Sequence, residues 1–189
     1  NQCHAFFSAS TRYDTAKLVG EMTIKMINSK PSERRVVWGC HLIHSLTFGC
    51  EKSKTLIGKD LGGIPPLLKT LSFASFEARQ QAAGALASLV SGVQKCRTVF
   101  QNADGVALSV VSMKEIPPSE KAKVELLNLL CAVSRSGAMA KQILDLKLLP
   151  FLMDMSLNAE FDAKLRAHAA GIIAGIASTN NLLPQLMDA

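Results

Sequence analysis

The sequence predicts an all-α protein, a superhelix of about four repeated units, and three observations predict it. Apolar residues recur at intervals of three and four and not at two, which is the period of a helix rather than of a strand. Similar phrases return every 42–44 residues; "AAGALASLV" over 82–90 and "AAGIIAGIAS" over 169–178 stand two such periods apart. The composition is that of a folded chain: of 189 residues 48 % are hydrophobic, 19 % charged and only 5 % aromatic.

Each unit reads as a short helix, a turn, a helix of about ten residues, a loop with Ser or Pro, and a longer helix. The first unit, over roughly 11–49, closes with a helix over 33–48. Pro31-Ser32-Glu33 opens that helix, because the missing proline N–H costs nothing in a first turn and Glu33 complements the helix dipole. The second unit, about 50–92, turns at Gly62-Gly63, runs Ile64-Pro65-Pro66-Leu67-Leu68, and closes with a helix over 76–91. The third, about 93–136, repeats the turn phrase as Gly105-Val106-Ala107-Leu108 and the opening phrase as Pro118-Ser119-Glu120, with its long helix over 119–135. The fourth, about 137–178, carries Lys147-Leu148-Leu149-Pro150 and a helix over 161–177, and 179–189 starts a further helix. Lys147 stands where the spacing places a glycine, so that corner is expected to use a less demanding backbone angle. The helical pattern starts at once without an initial Met, and the chain reads as a segment of something longer.

Asp60-Leu61-Gly62-Gly63-Ile64-Pro65-Pro66-Leu67-Leu68-Lys69-Thr70-Leu71, followed by Ala82-Ala83-Gly84-Ala85-Leu86-Ala87-Ser88-Leu89, resembles an armadillo repeat. The resemblance is strong over 59–91, good over 121–178 and weaker before Pro31. It implies a right-handed armadillo-like solenoid whose third helices line a concave surface, and a non-enzymatic scaffold or adaptor that binds a partner peptide or helix there. Relatives similar to importin-alpha carry a Trp and an Asn four residues apart on each third helix, to hold an extended peptide. Here those positions are His41 and Ser45, Gly84 and Ser88, Asn128 and Ala132, Gly171 and Gly175, with no Trp–Asn pair. Nuclear-import recognition therefore does not carry over with the fold. The groove expected instead has a floor of Gly, Ser and Ala. Its candidate contacts are Trp38, His41, His44, Ser45, Gln81, Gly84, Ser88, Asn128, Arg135 and His168, with a basic patch of Arg34 and Arg35 to meet acidic groups at one end. Leucine at Gly84 and Gly171 is expected to block this groove without unfolding the chain.

Other classes find little support. The formal net charge is +6, of which +4 lies in the first 60 residues, but aromatic residues are not interleaved with the basic ones as a nucleic-acid reader needs. The five cysteines are scattered without a CxxC pair, as for free thiols in a reducing cytoplasmic or nuclear setting. Cys40, His41, His44 and Cys50 make the one metal-like group, yet Cys40 and His41 point about 100° apart on a helix, so no metal site is expected. Gly58-Lys59 lacks the earlier glycine of a phosphate loop, since Ser53 stands there. No general acid–base constellation, cofactor motif, signal peptide or membrane span is visible, and no small-molecule substrate is implied. The alternative function is structural: a segment of a cytoskeletal or trafficking assembly that self-associates through its solenoid ends, near Phe6-Phe7 and Leu182-Leu183.

Overall fold

A computed structural model describes residues 9–29 and 32–179; Phe6-Phe7 and Leu182-Leu183 lie outside the described residues. In chain order come α1 (Ala9–Asn28), α2 (Glu33–Thr47), α3 (Glu51–Thr55) running into a π-helical turn (Leu56–Asp60), α4 (Ile64–Thr70) and α5 (Phe76–Val90). They are followed by α6 (Gln94–Asn102), α7 (Gly105–Glu115), α8 (Lys121–Ser134), α9 (Gly137–Asp145), α10 (Leu149–Leu157) and α11 (Ala163–Ala177). No strand occurs among the described residues. The helices therefore fall into the triplets α3–α5, α6–α8 and α9–α11, preceded by the pair α1–α2.

The long helices α2, α5, α8 and α11 form one stacked row, and the most extensive contacts in the chain run between neighbours in it. The reason is visible in their burial. On α5, Ala78, Ala82, Ala83, Ala85, Leu86, Leu89 and Val90 are all buried, so the helix has a broad apolar face, with Gln81, Gly84 and Ser88 on the other. Helix α8 buries Leu126, Leu127, Leu129, Leu130 and Val133 in the same way. Such a helix is stable only between two others, and the row supplies them.

Each second helix begins at a left-handed corner. Gly62 has φ +65°, Asp104 +54° and Lys147 +51°. The expectation for Lys147 is thus corrected. A strict 42-residue spacing sets it opposite Gly105, but its true counterpart is Gly62: each lies two residues before a helix, and Pro65 and Pro150 both take the second helical position. The Lys147 side chain is exposed and its N–H donates to the Leu144 carbonyl at 2.8 Å, so the surrounding turn holds an angle that costs a non-glycine residue about 1–2 kcal/mol.

Buried cations close the loops between second and third helices. Arg79 Nε donates to the Phe73 carbonyl, and its Nη1 meets Glu115 Oε2 at 2.8 Å. One repeat later, Lys123 Nζ donates to the Ile116 carbonyl at 2.8 Å and lies 5.5 Å over the Phe151 ring. Burial pushes the Lys123 pKa down, and the carbonyl offsets that cost. Arg79→Met keeps the aliphatic stem but leaves the Phe73 carbonyl without its donor. A loss of about 1–3 kcal/mol is expected from the urea midpoint, against less than about 0.5 kcal/mol for the exposed Lys114→Met.

Cys40 is fully buried and free, and burial pushes its thiol from an ordinary 9.0 up to about 12. Its native state should resist iodoacetamide at about pH 8, where only the thiolate reacts. Because the folded pKa is the higher one, the thiol's contribution to stability is complete below 9.0 and is lost as pH rises towards about 12. Denaturation midpoints measured across that window should fall with pH more steeply for the natural chain than for Cys40→Ala.

Candidate peptide groove

The repeat spacing sorts the third-helix residues into columns that cross the row. Trp38, Gln81, Glu125 and His168 form one column; His41, Gly84, Asn128 and Gly171 the next; Ser45, Ser88, Ala132 and Gly175 a third. Exposure is greatest at the α2 end. Trp38 is 61 % exposed and His41 and Ser45 are exposed, whereas Gln81, Glu125, His168, Asn128 and Ser88 are half-buried.

Between the N-terminal halves of α2 and α5 lies an open groove of about 670 Å³. Trp38, His41, Gln81 and Arg34 line it, together with Ser32, Glu33, Val37 and Glu77. The indole of Trp38 and the imidazole of His41 meet edge-on, with ring centroids 6.4 Å apart. One wall is therefore aromatic, and the floor carries an amide. Two carboxylates and a guanidinium stand within the same lining.

The other predicted residues do different things. His44 Nδ1 lies 3.2 Å from the Gly84 carbonyl, which can only accept, so that nitrogen carries a proton. Thr47 Oγ1 donates to the Ile43 carbonyl at 2.8 Å, so the Ser88 hydroxyl, 3.0 Å away, donates to Thr47. His44 and Ser88 thus stitch α2 to α5. Ser45 donates to the carbonyl of His41 within its own helix at 3.0 Å. Asn128 Nδ2 approaches Glu125 Oε2 at 3.5 Å. Arg135 is exposed at the C-terminal cap of α8 and His168 sits on α11. Those helices stand two and three places along the row from Trp38, about 20 Å or more, so neither residue shares its groove. Arg35 is exposed beside the groove.

The glycines of the floor differ. A Cβ at Gly84 would meet only Glu125 Oε2 within 4 Å, at 3.7 Å, an ordinary contact. At Gly171 it would come within 2.9 Å of Cys131 Sγ, and at Gly175 it would collide with the Ser134 hydroxyl and approach Ser134 Cβ to 2.9 Å. The expectation that Gly171 accepts leucine is corrected: α8 and α11 approach too closely there. Three acidic residues were not read from the sequence as groove residues. Glu125 is reached by the same 43–44-residue step that links Trp38 to Gln81 and His168, while Glu33 and Glu77 lie within one or two turns of those positions. Among the described residues no three His, Cys, Asp or Glu side chains converge to hold a metal ion, and no helix is long and apolar enough to cross a membrane.

This row of triplets defines a class, the armadillo solenoid. Residues 52–91 match the sequence profile of the Armadillo/beta-catenin-like repeat. An engineered protein superposes on this chain with a TM-score of 0.80 at 22 % identity, over 89 % of this chain and 67 % of that one. A computationally designed armadillo repeat protein for modular peptide recognition superposes with a TM-score of 0.77 at 17 % identity, over 95 % and 80 % of the two chains. A designed armadillo repeat protein in complex with the peptide (KR)4 does so at 0.77 and 20 % identity, over 89 % and 69 %. No curated protein matches the sequence. The fold is thus an all-α, right-handed armadillo superhelix, and the chain is armadillo-like.

Gly84→Leu is expected to fold with an unchanged melting midpoint. Gly175→Leu should lose roughly 3 kcal/mol or more, because Ser134 cannot retreat from the added side chain. Thermal melts of the two variants followed by circular dichroism check both.

Proposed function

We propose that this chain is a non-enzymatic peptide-binding scaffold or adaptor, and that an extended peptide lies across α2 and α5 in the groove beside Trp38. The single observation that carries this reading is a largely exposed indole placed in a groove with the carboxylates of Glu33 and Glu77. A solvent-facing tryptophan next to carboxylates suits a lysine or arginine side chain, which stacks on the ring while its charge is matched. A designed protein of the same fold binds (KR)4, which supports a basic peptide as the first probe. Gln81 in the groove lining would bond the peptide backbone, and Gly84 leaves room for it to lie close. Arg34 in the same lining, with Arg35 beside it, would receive an acidic group of the partner at that end of the row. In this reading residues 1–189 act as one binding domain in a reducing cytoplasmic or nuclear setting, with neither cofactor nor nucleic acid involved.

Trp38 is the only tryptophan, so its fluorescence reports occupancy directly. Titration with (KR)4 should give a saturable change. Glu33→Gln with Glu77→Gln should weaken it by roughly tenfold, as loss of about 1.4 kcal/mol implies, and Gly84→Leu should abolish it. The absence of saturation at about 1 mM peptide, or equal affinity for a glutamate peptide, would overturn the proposal.

A further inference from the structure

We propose, on the peptide reading just given, that the groove is gated by a proton: when His41 takes one up, the groove loosens its hold on a basic peptide. Glu33, Glu77 and Arg34 are the charged groups of the lining, and His41 is its one histidine. Carboxylates ordinarily titrate near pH 4 and a guanidinium stays charged throughout, whereas imidazole is the side chain that changes charge between about pH 5 and 8. The lining therefore carries one net negative charge with a neutral imidazole, and none once that ring is protonated.

The position of His41 makes that charge act twice. It stands one turn beyond Trp38 on α2, with ring centroids 6.4 Å apart and ring planes at 80°. A protonated imidazole thus sets a cation against the indole on which the peptide's own cation is to stack. It also competes for Glu33 and Glu77, neither of which is in an ion pair among the described residues. The other charged groups around α2 do not change with it. Helix α1 meets α2 at Gly39 through Met26 and Ile27, and its Asp14, Lys17, Glu21 and Lys25 lie outside the lining. Helix α3 follows the C-terminal end of α2 with Glu51, Lys52 and Lys54, the last donating to the Ser91 carbonyl. On α5, Glu77 faces the groove while Arg79 is turned to the Phe73 carbonyl and Glu115; Glu125 of α8 faces Gly84. Arg35 is exposed outside the lining, and His44 is engaged on the Gly84 carbonyl, also outside it.

Trp38 reports on both halves of the test, with and without peptide, because it is the only tryptophan. In the free 189-residue chain its emission should fall between about pH 8 and about pH 5.5, since an imidazolium quenches a neighbouring indole, and His41→Gln should remove that step. His41 is exposed, so His41→Gln is expected to give the same circular-dichroism melt as the natural chain. The charge of N-acetylated (KR)4 is constant over this range. Its Kd should rise about three- to tenfold from about pH 7.5 to about pH 5.5 in about 50 mM salt, by less in about 0.5 M salt, and not at all for His41→Gln. Emission of the free chain that ignores pH, or that changes equally in His41→Gln, overturns the proton gate whatever the peptide does. Saturable binding with one Kd at both pH values, or the same rise in His41→Gln, overturns it and leaves the peptide reading standing. If the free emission titrates through His41 but (KR)4 saturates at neither pH, the peptide reading falls and the gate with it.

Discussion

The packing of one long helix directly on the next is the constraint from which the rest of this structure follows. Helices α5 and α8 each carry a broad apolar face, and neither could keep that surface from water within its own triplet. Small residues set how near the axes come. Gly175 meets Ser134 with no room for a methyl group, and Gly171 lies against Cys131. Large fully buried side chains fill the space on both sides, Phe100 and Met113 on the shorter helices and Leu86 and Leu126 on the long ones. The loops are closed by cations that reach carbonyls left open at the ends of the second helices, as Arg79 and Lys123 do one repeat apart.

The same packing decides what the exposed side of the row can do. Residues that face along the row are consumed in holding it, whether apolar or polar: His44 on the Gly84 carbonyl and Ser88 on Thr47 are ties between α2 and α5. Residues that face across it stay available. Trp38, His41, Gln81, Glu33 and Glu77 share one groove because α2 and α5 are held side by side with their N-terminal turns level. The groove is most open at α2, where Trp38 is 61 % exposed.

Most of the architecture was legible in the sequence. Periods of three and four marked helices, and the return of Ala-Ala-Gly phrases marked a repeat whose long helices the structure places within two residues of the expected spans. The Lys147 corner was misread because a spacing of 42 aligned it with Gly105. Corner insertions of a single residue do not disturb a helical period, so only backbone angles reveal them.

The chain's own order of residues determined that it is helical, that it repeats, and which columns of side chains cross the row. Only the tertiary structure decided what each member of a column does. Gly84 and Gly175 look alike in sequence, yet a Cβ would make only an ordinary contact with Glu125 at the one and collide with the Ser134 side chain at the other. Ser45 and Ser88 occupy the same column, yet one bonds within its helix and the other to its neighbour. The physical reason is that helical periodicity assigns a residue to a face, while the distance to the next helix, set by every side chain between the two, determines whether that face is open or filled.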